Sequence, residues 1–366
     1  GNVLISIPML LTGGTEIQTL YLVRALTSMN YNVNVCCYFE YEEKVVQEYR
    51  EAGAKVKLLL LKRGCGTLKL VKELYAFVKK NEFHYAHIQY VQPGFLPVLA
   101  YKLARIKNIY ITVHQPSDFC SQKAKGLFLL SSFLATKTTS VTKYVRDSWF
   151  GKGKEKNSNT VIYNCISDEL LNFNYENQYD SISKVDTLVF CVVGRLRHEK
   201  RQELAIRALS LLKAMGQKAE LLLIGDGPDY AVLNELVSLL GLENDIHFLG
   251  NISQLDIAKL LNRVDVAILP SKFEGFGLVA IEAMAARVPV IASNVGGLRE
   301  VVKNGITGEL FTSGNESELA LAMKKLADDK ALRNIYGKNG RESVEKQFSF
   351  SLFVNKVREL YNLNYE

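Results

Sequence analysis

The sequence has no apolar run long enough to cross a bilayer. Its longest wholly aliphatic stretches, among them residues 58–61, have four residues, whereas a membrane-spanning helix needs roughly 18 apolar residues. The first residues show neither the basic leader nor the small-residue cleavage site of a secretory signal. We therefore expect a cytoplasmic protein, with association at the inner face of a membrane left open.

Cysteine is present but lacks the spacing of a metal site or a disulfide framework. The six cysteines include no C-x-x-C pair, which argues against structural zinc and fits reduced thiols. With 366 residues, 48% of them hydrophobic, the chain can bury more than one core without crosslinks. This length predicts two domains.

A complete dinucleotide fingerprint is also missing. The segment IGDGP at 224–228 provides two glycines after an apolar run, but the third glycine of G-x-G-x-x-G does not follow. That third glycine permits close packing of helix on strand in nicotinamide-binding domains. The sequence therefore argues against a nicotinamide-dependent dehydrogenase.

Positive charge is what the first half has in excess. Residues 1–180 hold 22 Lys/Arg against 15 Asp/Glu, and residues 181–366 hold 23 of each, so the net charge of +7 is entirely amino-terminal. Solvated helix faces are one interpretation. An anionic membrane surface or a pyrophosphate-bearing acceptor is the other. No aromatic-interleaved basic platform accompanies the charge, so we expect no nucleic-acid partner.

Short β-branched runs alternate with amphipathic segments along the whole chain, which is typical of α/β folds with parallel sheets. The predicted strands are 3–7, 32–39, 56–61, 85–90, 109–113, 138–141, 160–163, 188–193, 220–224, 246–249, 264–269 and 288–292. The polar segment 167–186 has neither strand nor helix periodicity, so we place the domain boundary there. The predicted domains are 1–170 and 171–349, both doubly wound, followed by a terminal helix at 350–366.

Ligands of such sheets bind beyond the carboxyl ends of the strands, so the loops after strands are the candidate site. Gly13 and Gly14 precede a helix, whose first amides can receive phosphate. Gly194 begins the next such loop, which carries Arg195 and Lys200, two cations able to neutralise a diphosphate. Taken singly, each feature also fits an ordinary helix cap or a solvated loop.

Two glutamates eight positions apart, Glu274 and Glu282, surround a glycine-rich break. We expect a helix to begin near residues 277–278, with Glu282 about one turn inside it. Acids near a helix start are favoured by the helix dipole, which accounts partly for Glu274. It accounts poorly for Glu282, because the apolar continuation AMAARVPVIA predicts a buried helix. A buried carboxylate needs hydrogen-bond donors, and sugar hydroxyls are suitable.

In order, the segments GGTE, GRLRHEK, IGDGP, HFLGNI, EGFGLVAIEAMA, PVIASNVGGLREVV and NGITGELF resemble retaining glycosyltransferases of family 4, and the glutamates match that family's E-x7-E motif. The resemblance implies a GT-B fold, in which two Rossmann-like domains face a central cleft. The terminal helix resembles the one that crosses back onto the first domain. Ala286-Arg287 and the segment NCIS at 164–167 depart from common family patterns outside the donor contacts.

The resemblance implies roles for individual residues. Glu274 contacts the transferred sugar, Glu282 the ribose, and His114 lies near the sugar. Arg195 and Lys200 hold the diphosphate. The remaining implied donor contacts are the backbone or close-approach positions Gly13, Gly14, Gly194, Gly225, Ile252, Gly275, Phe276, Gly277, Leu278 and Val279.

The implied activity is transfer of a hexose from a nucleotide-diphosphate sugar, UDP-glucose or another UDP-hexose, to a saccharide or lipid-linked saccharide with retained stereochemistry. No metal or other cofactor is expected, because the cations stand where a divalent ion would act. We name no protein general base; Asp118 and Glu16 are the candidates to test. A sugar-nucleotide epimerase, a phosphorylase on a related fold and a catalytically silent binding homologue remain alternatives, although no pyridoxal lysine signature supports the phosphorylase.

Overall fold

The computed structural model of the protein describes residues 1–90, 95–118, 120–153, 159–173 and 187–362. The chain divides into two compact units. The first consists of Gly1–Cys165 together with Phe350–Glu366, and the second is Ile166–Ser349. Each unit is a parallel sheet covered by helices, which confirms the predicted α/β class with two Rossmann-like domains.

The described part of the first unit contains a parallel sheet in the order β3-β2-β1-β4-β5-β6-β7. Its strands are β1 Asn2–Ile7, β2 Asn32–Cys37, β3 Lys55–Leu58, β4 Tyr85–Tyr90, β5 Asn108–Val113, β6 Lys137–Ser140 and β7 Asn159–Val161. Its helices are α1 Gly14–Ser28, α2 Glu43–Glu51, α3 Thr67–Lys79, α4 Phe95–Leu103, α5 Gln122–Leu134 and α6 Lys143–Phe150, together with the terminal helix α15 Phe350–Asn362.

The described part of the second unit contains a parallel sheet in the order β10-β9-β8-β11-β12-β13. Its strands are β8 Leu188–Val193, β9 Ala219–Ile224, β10 Ile246–Gly250, β11 Val266–Leu269, β12 Val290–Ser293 and β13 Gly308–Phe311. Its helices are α7 Asp168–Leu171, α8 Gln202–Ala214, α9 Tyr230–Leu239, α10 Gln254–Leu261, α11 Leu278–Ala285, α12 Leu298–Val301, α13 Glu316–Asp328 and α14 Lys330–Gln347, with a short 3₁₀ helix at His198–Lys200.

Aliphatic side chains of the central strands form each core because helices cover both faces of a parallel sheet. In the first unit, Ile5, Val35 and Tyr110 are fully buried together. Helix α15 belongs to the same core through Leu360 and Tyr361. In the second unit the core is built around Leu221, Ile268 and their neighbours. Both strand orders place β1 and β8 centrally, so the loops after these strands lie at the switch in strand order.

All twelve predicted strands are present, although many of them differ from the predicted bounds by up to three residues at an end. The strand predicted at 56–61 ends at Leu58, because Leu60 has a left-handed backbone with φ 54° and interrupts the extended run. Strand β13 was not predicted, since its sequence GELF is short and poor in β-branched residues. It pairs in parallel with β12 at the edge of its sheet.

The units meet in sequence a few residues before the predicted boundary at 170. Ile166 donates its N–H to the carbonyl of Phe348, and helix α7 packs against α11. These contacts place residues 166–170 in the second unit. The second transition, between Ser349 and Phe350, coincides with the start of the predicted terminal helix. Most of the predicted linker, 174–186, lies outside the described residues.

Three further structural findings concern the described part of the chain. All six cysteines are free thiols. Across the described residues, no helix combines the length and apolarity that crossing a membrane would require. In the same residues, no group of three or more His, Cys, Asp and Glu side chains has a metal-binding arrangement.

Candidate active site

The loops that follow β8 and β9 pack directly on one another in the second unit. Gly194 donates its N–H to the carbonyl of Ile224 at 2.9 Å, and Leu196 donates to the carbonyl of Asp226 at 2.9 Å. Gly225 has φ 130°, and a Cβ at this position would lie 2.2 Å from the Gly194 carbonyl oxygen. Any side chain would therefore separate the two loops. The glycines at these strand ends allow a tight double loop at the carboxyl edge of the sheet.

An ion pair joins the loop after β8 to the loop after β11. The Nζ of Lys200 lies 2.6 Å from Oε2 of Glu274, with the lysine side chain about 33% and the glutamate side chain about 20% exposed. The Glu274 carboxylate raises the pKa of Lys200, so the amine is held as a cation. The backbone supports the same contact, since Lys272 donates its N–H to the carbonyl of Glu199 at 2.8 Å.

The side chain of Arg195 is exposed at the same edge of the sheet, while its backbone is held by a hydrogen bond from a buried side chain. Gln202, almost completely buried at the start of α8, donates its side-chain amide to the Arg195 carbonyl at 3.0 Å. A long cationic side chain on a fixed loop can reach an anion without moving the backbone. Arg195 and Lys200 thus belong to one loop of defined conformation.

Helix α11 begins where the sequence predicts, at Leu278, with Gly277 as its N-cap residue. Gly277 has φ 95°, in the left-handed region that favours glycine. The loop is held by a hydrogen bond from Gly297 N–H to the Glu274 carbonyl at 2.9 Å and contains buried Gly275 and Phe276. The first amides of the helix, at Leu278 and Val279, precede any intrahelical partner and are suited to an anion.

Glu282 lies on the second turn of α11 and is only partly exposed. Its Oε1 accepts a hydrogen bond from Nε2 of Gln254 at 2.8 Å. Burial raises the pKa of Glu282 to about 7, although the Gln254 hydrogen bond acts in the opposite direction. Ile252, also partly exposed, lies just before Gln254 in the loop between β10 and α10. Further hydroxyl donors would therefore stabilise the ionised form of the Glu282 carboxyl group.

In the first unit, Gly13 is the N-cap of α1 and Gly14 is its first residue, as the sequence indicates. The carboxyl group of Glu16 turns back over this helix start, where a Cβ on Gly13 would lie 2.5 Å from Oε2. Burial, with a smaller contribution from the nearby Glu42, raises the pKa of Glu16 to about 7. The start of α1 is thus occupied by a carboxyl group of its own helix.

His114 follows β5 and is buried against Gln89 on the neighbouring strand β4. Its Nε2 lies 2.7 Å from Oε1 of Gln89. Because an amide oxygen can only accept, Nε2 carries the hydrogen and Nδ1 is left as an acceptor. Burial lowers the pKa of His114 to about 4, which keeps the ring neutral. The amide Nε2 of Gln89 is buried without a hydrogen-bond partner.

A second buried histidine, His87, lies in the same strand as Gln89. Its Nδ1 is 2.9 Å from the hydroxyl of Tyr361 on α15, and its Nε2 is 2.7 Å from the hydroxyl of Thr112. Burial lowers the pKa of His87 to about 3, with a smaller contribution from His114. This network joins the terminal helix to the sheet of the first unit.

The structure thus brings all twelve predicted site residues of the second unit to one edge of one sheet: Gly194, Arg195, Lys200, Gly225, Ile252, Glu274, Gly275, Phe276, Gly277, Leu278, Val279 and Glu282. Gly13, Gly14 and His114 belong to the first unit. Sequence reasoning missed the partners Gln202, Gln254 and Gly297. The glycine pair at 296–297, directly after β12, could have indicated a close backbone contact at Gly297. No sequence pattern indicates the roles of Gln202 and Gln254.

Two family models match consecutive parts of this chain. The model described as glycosyltransferase family 4 matches residues 12–170, and the model described as glycosyl transferases group 1 matches residues 175–343. Neither model alone spans half of the chain, but both describe glycosyltransferases and together they match most of it, so the chain is a glycosyltransferase. The family resemblance and the prediction that the chain is an enzyme are confirmed.

Individual relatives of this glycosyltransferase agree with that assignment. An uncharacterised glycosyltransferase of Methanocaldococcus jannaschii is 27% identical over 299 residues, which span 79% of this chain and 73% of that protein. The N-acetyl-alpha-D-glucosaminyl L-malate synthase of Bacillus anthracis is 36% identical over 169 residues, 46% of this chain and 44% of that protein. The crystal structure of Anabaena HepE with UDP superposes with a TM-score of 0.84 over 99% of both chains at 21% identity. These similarities confirm the predicted GT-B fold.

Proposed function

We propose that this glycosyltransferase transfers a hexose from a UDP-hexose, with UDP-glucose as the first candidate, to a saccharide or lipid-linked saccharide with retention of configuration and without a metal ion. The observation that carries the proposal is the Lys200–Glu274 pair, held at 2.6 Å immediately before the start of α11. It combines a fixed cation, a carboxylate and free helix-start amides, which together suit a sugar joined to a diphosphate.

The donor is assigned to the second unit residue by residue. Arg195, Lys200 and the amides of Leu278 and Val279 bind the diphosphate. Glu274 accepts hydrogen bonds from the hydroxyls of the transferred sugar, and Glu282 accepts from the ribose. The crystal structure of Anabaena HepE in complex with UDP-glucose superposes on this chain with a TM-score of 0.82. This shared fold makes a UDP-hexose the first donor to test.

In the proposed reaction the bond between the anomeric carbon and the phosphate oxygen breaks, and its electron pair leaves with the diphosphate. Positive charge develops on the sugar while negative charge grows on the leaving group. Arg195, Lys200 and the helix amides stabilise that growing charge without needing to reorganise. The acceptor hydroxyl attacks from the same face, and its proton passes to a donor phosphate oxygen. No protein general base is required by this route.

His114 is assigned to the transferred sugar. Its neutral ring has Nδ1 available as an acceptor while Gln89 holds Nε2–H. An imidazolium at this position would oppose the positive charge that develops on the sugar. The lowered pKa of His114 therefore suits a hydrogen bond with a sugar hydroxyl rather than a role as an acid.

A lipid-linked acceptor at an anionic membrane is supported by helix α5. Leu127, Leu130 and Phe133 recur at every third position of this helix and are exposed, with Phe133 about 84% exposed. Lys123 and Lys125 lie on the same helix, and no acidic residue occurs in the sequence from 119 to 146. An apolar stripe flanked by cations is the pattern of a helix that lies in the membrane interface.

The donor assignment is tested by thermal shift and by release of nucleoside diphosphate over UDP-, GDP- and ADP-sugars. We expect stabilisation and slow hydrolysis with one activated hexose, undiminished by a chelator. Release strictly dependent on a divalent ion contradicts the metal-independent mechanism, and interconversion of the sugar without an acceptor indicates an epimerase. Binding without turnover on any saccharide or lipid-linked acceptor indicates a silent homologue.

A further inference from the structure

The loop between β10 and α10 is attached to the candidate donor site at both of its ends. At its start, the carbonyl of Gly250 accepts a hydrogen bond from Gly225 N–H at 2.8 Å. At its end, the side chain of Gln254 donates to Glu282 at 2.8 Å. The helix start between them is capped by Ser253, whose hydroxyl accepts from Asp256 N–H at 3.1 Å. The loop that carries Ile252 therefore lies between the β9 turn and the Glu282 carboxylate.

We propose that Gln254 is a positioning residue that orients the Glu282 carboxylate toward the ribose and thereby couples recognition of the ribose to recognition of the base. The inference rests on the proposed function, in which Glu282 binds the ribose, and on the donor contact that the family resemblance implies at Ile252, whose backbone we assign to the base. The glutamine itself touches neither group; it acts through Glu282 and through the loop that it closes.

The hydrogen-bond capacity of a carboxylate makes this arrangement workable. An ionised carboxylate has two oxygens and about four acceptor positions. Gln254 uses one position on Oε1, which leaves Oε2 and the remaining Oε1 position for two vicinal ribose hydroxyls. Because the amide donates and cannot supply a charge, it fixes the rotation of the carboxylate without neutralising it. A lysine in its place would also donate, but as a full cation.

Two cationic side chains of the neighbouring helices, Lys259 and Arg341, are paired with carboxylates other than Glu282. On α10, Asp256 pairs with Lys259 at 3.0 Å. On α14, Arg341 pairs with Glu345 at 2.6 Å and donates to the Ala285 carbonyl. Two opposing effects act on the pKa of Glu282: burial raises it, and the hydrogen bond from Gln254 lowers it. Loss of the amide therefore leaves the carboxyl both less oriented and less readily ionised.

The test compares nucleotide affinities in full-length variants. The probes are UDP, 2′-deoxy-UDP, 3′-deoxy-UDP and GDP, measured by calorimetry. In Gln254→Met, which keeps the length of the side chain but removes the donor, we expect UDP affinity to fall about tenfold. The affinities of the two deoxy nucleotides should fall much less, so the affinity ratio of UDP to each deoxy nucleotide becomes smaller. The affinity ratio of UDP to GDP should become smaller as well. In turnover, KM for the donor rises while kcat changes less than about threefold.

Two further variants separate positioning from mere stability. Gln254→Lys restores an N–H donor and should recover most of the ribose discrimination that Gln254→Met loses. The matched control is Gln217→Met, because Gln217 also donates its amide to a carboxylate, that of Asp328 at 2.6 Å, away from the candidate site. This control should leave every affinity unchanged.

The outcomes test the positioning role of Gln254 separately from the binding of the ribose by Glu282. Equal losses for UDP and both deoxy nucleotides in Gln254→Met, or no loss at all, would overturn the positioning role. Glu282→Gln provides the second reference. If Glu282→Gln abolishes ribose discrimination while Gln254→Met preserves it, the coupling alone is wrong. If Glu282→Gln leaves discrimination intact, the ribose assignment of the proposed function is itself wrong.

Discussion

The two units share one architecture but differ in what they place at the carboxyl edge of the sheet. In the second unit that edge holds the Lys200–Glu274 ion pair, exposed Arg195 and the start of α11. In the first unit it holds His114, a neutral imidazole bonded to Gln89. The corresponding helix start, at α1, is covered by its own Glu16. The same fold thus presents an ion pair and an exposed arginine in one unit and a neutral histidine in the other.

This difference suits the two kinds of substrate in the proposed reaction. A diphosphate requires cations and unpaired amides, which the second unit supplies from loops that are tied together by backbone hydrogen bonds. Hydroxyl groups need hydrogen-bond donors and acceptors but no cation, and the first unit offers a neutral group of this kind in buried His114. The positive charge of the first unit lies instead on helices such as α5, where it is suited to a large anionic surface. Position in the fold therefore predicts where a ligand binds, and side-chain chemistry predicts which ligand.

The largest effect is expected at Glu274. Glu274→Gln removes the acceptor for sugar hydroxyls and leaves Lys200 without its anionic partner, so we expect kcat to fall by about 10³-fold. The measurement is the initial rate of nucleoside diphosphate release. Glu309→Gln is the matched control, because Glu309 also pairs with a lysine at 2.6 Å in the same unit. Equal rates for Glu274→Gln and wild type would show that the Lys200–Glu274 pair has no part in the reaction.

Lys200→Gln should have the next largest effect. Loss of one cation at the leaving diphosphate should lower kcat by about 10²-fold, with Lys200→Arg recovering part of it. Lys324→Gln offers a matched comparison, since Lys324 pairs with Asp328 at the same 2.6 Å and has a similarly exposed side chain. A lowered rate in both lysine variants would indicate a loss of stability rather than of charge stabilisation.

The first unit should show its neutral histidines in the pH dependence of its stability. Because the pKa of His87 is lowered to about 3, the unfolded chain binds a proton below pH 6.5 that the folded chain does not. Stability contributed by the neutral ring is therefore present above pH 6.5 and is lost toward pH 3, by up to about 1.4 kcal/mol per pH unit. In His87→Gln the slope between pH 6.5 and 4.5 should fall by this amount, while the contribution of His114, whose pKa is lowered to about 4, remains.

The measurement is urea unfolding followed by tryptophan fluorescence at several pH values. Trp149 is the one tryptophan of the sequence and is buried in the first unit, so its emission reports on that unit. His247→Gln in the second unit is the control and should leave the slope unchanged. An unchanged slope in His87→Gln would mean that His87 is not the group that titrates.

The smallest effect is expected on the surface of the first unit. Phe133→Ser removes an exposed apolar group, so binding to phosphatidylglycerol vesicles should weaken about threefold to tenfold. Neutralising Lys79 and Lys80 should weaken it further through lost charge. Binding is measured by vesicle flotation. Leu239→Ser, which removes a comparably exposed residue of the second unit, should have no effect; equal weakening in both would point to non-specific adhesion.

The sequence was most informative where the chemistry is local. Strands β1–β12 and the start of α11 could be predicted because apolar alternation and glycine position depend on neighbouring residues. Strand β13 could not, since its four residues acquire strand geometry by pairing with β12. The early end of β3 depends on the left-handed conformation of Leu60, which no sequence pattern indicated.

Within the candidate site, residue types could be predicted but their partners could not. Glu274 and Lys200 were both named, yet their contact joins positions far apart in the chain and depends on how β8 and β11 lie side by side. The same holds for Gln254 with Glu282 and for Gln89 with His114. A glutamine has no sequence signature, and only its tertiary neighbours turn it into a positioning residue.

The most direct measurement is a crystal structure of the protein with UDP-glucose. The account predicts the diphosphate within about 3 Å of Lys200 Nζ and of the Leu278 and Val279 amides, with the glucose hydroxyls on Glu274 and the ribose on Glu282. A donor bound with its diphosphate away from Lys200 and its sugar away from Glu274 would contradict the account.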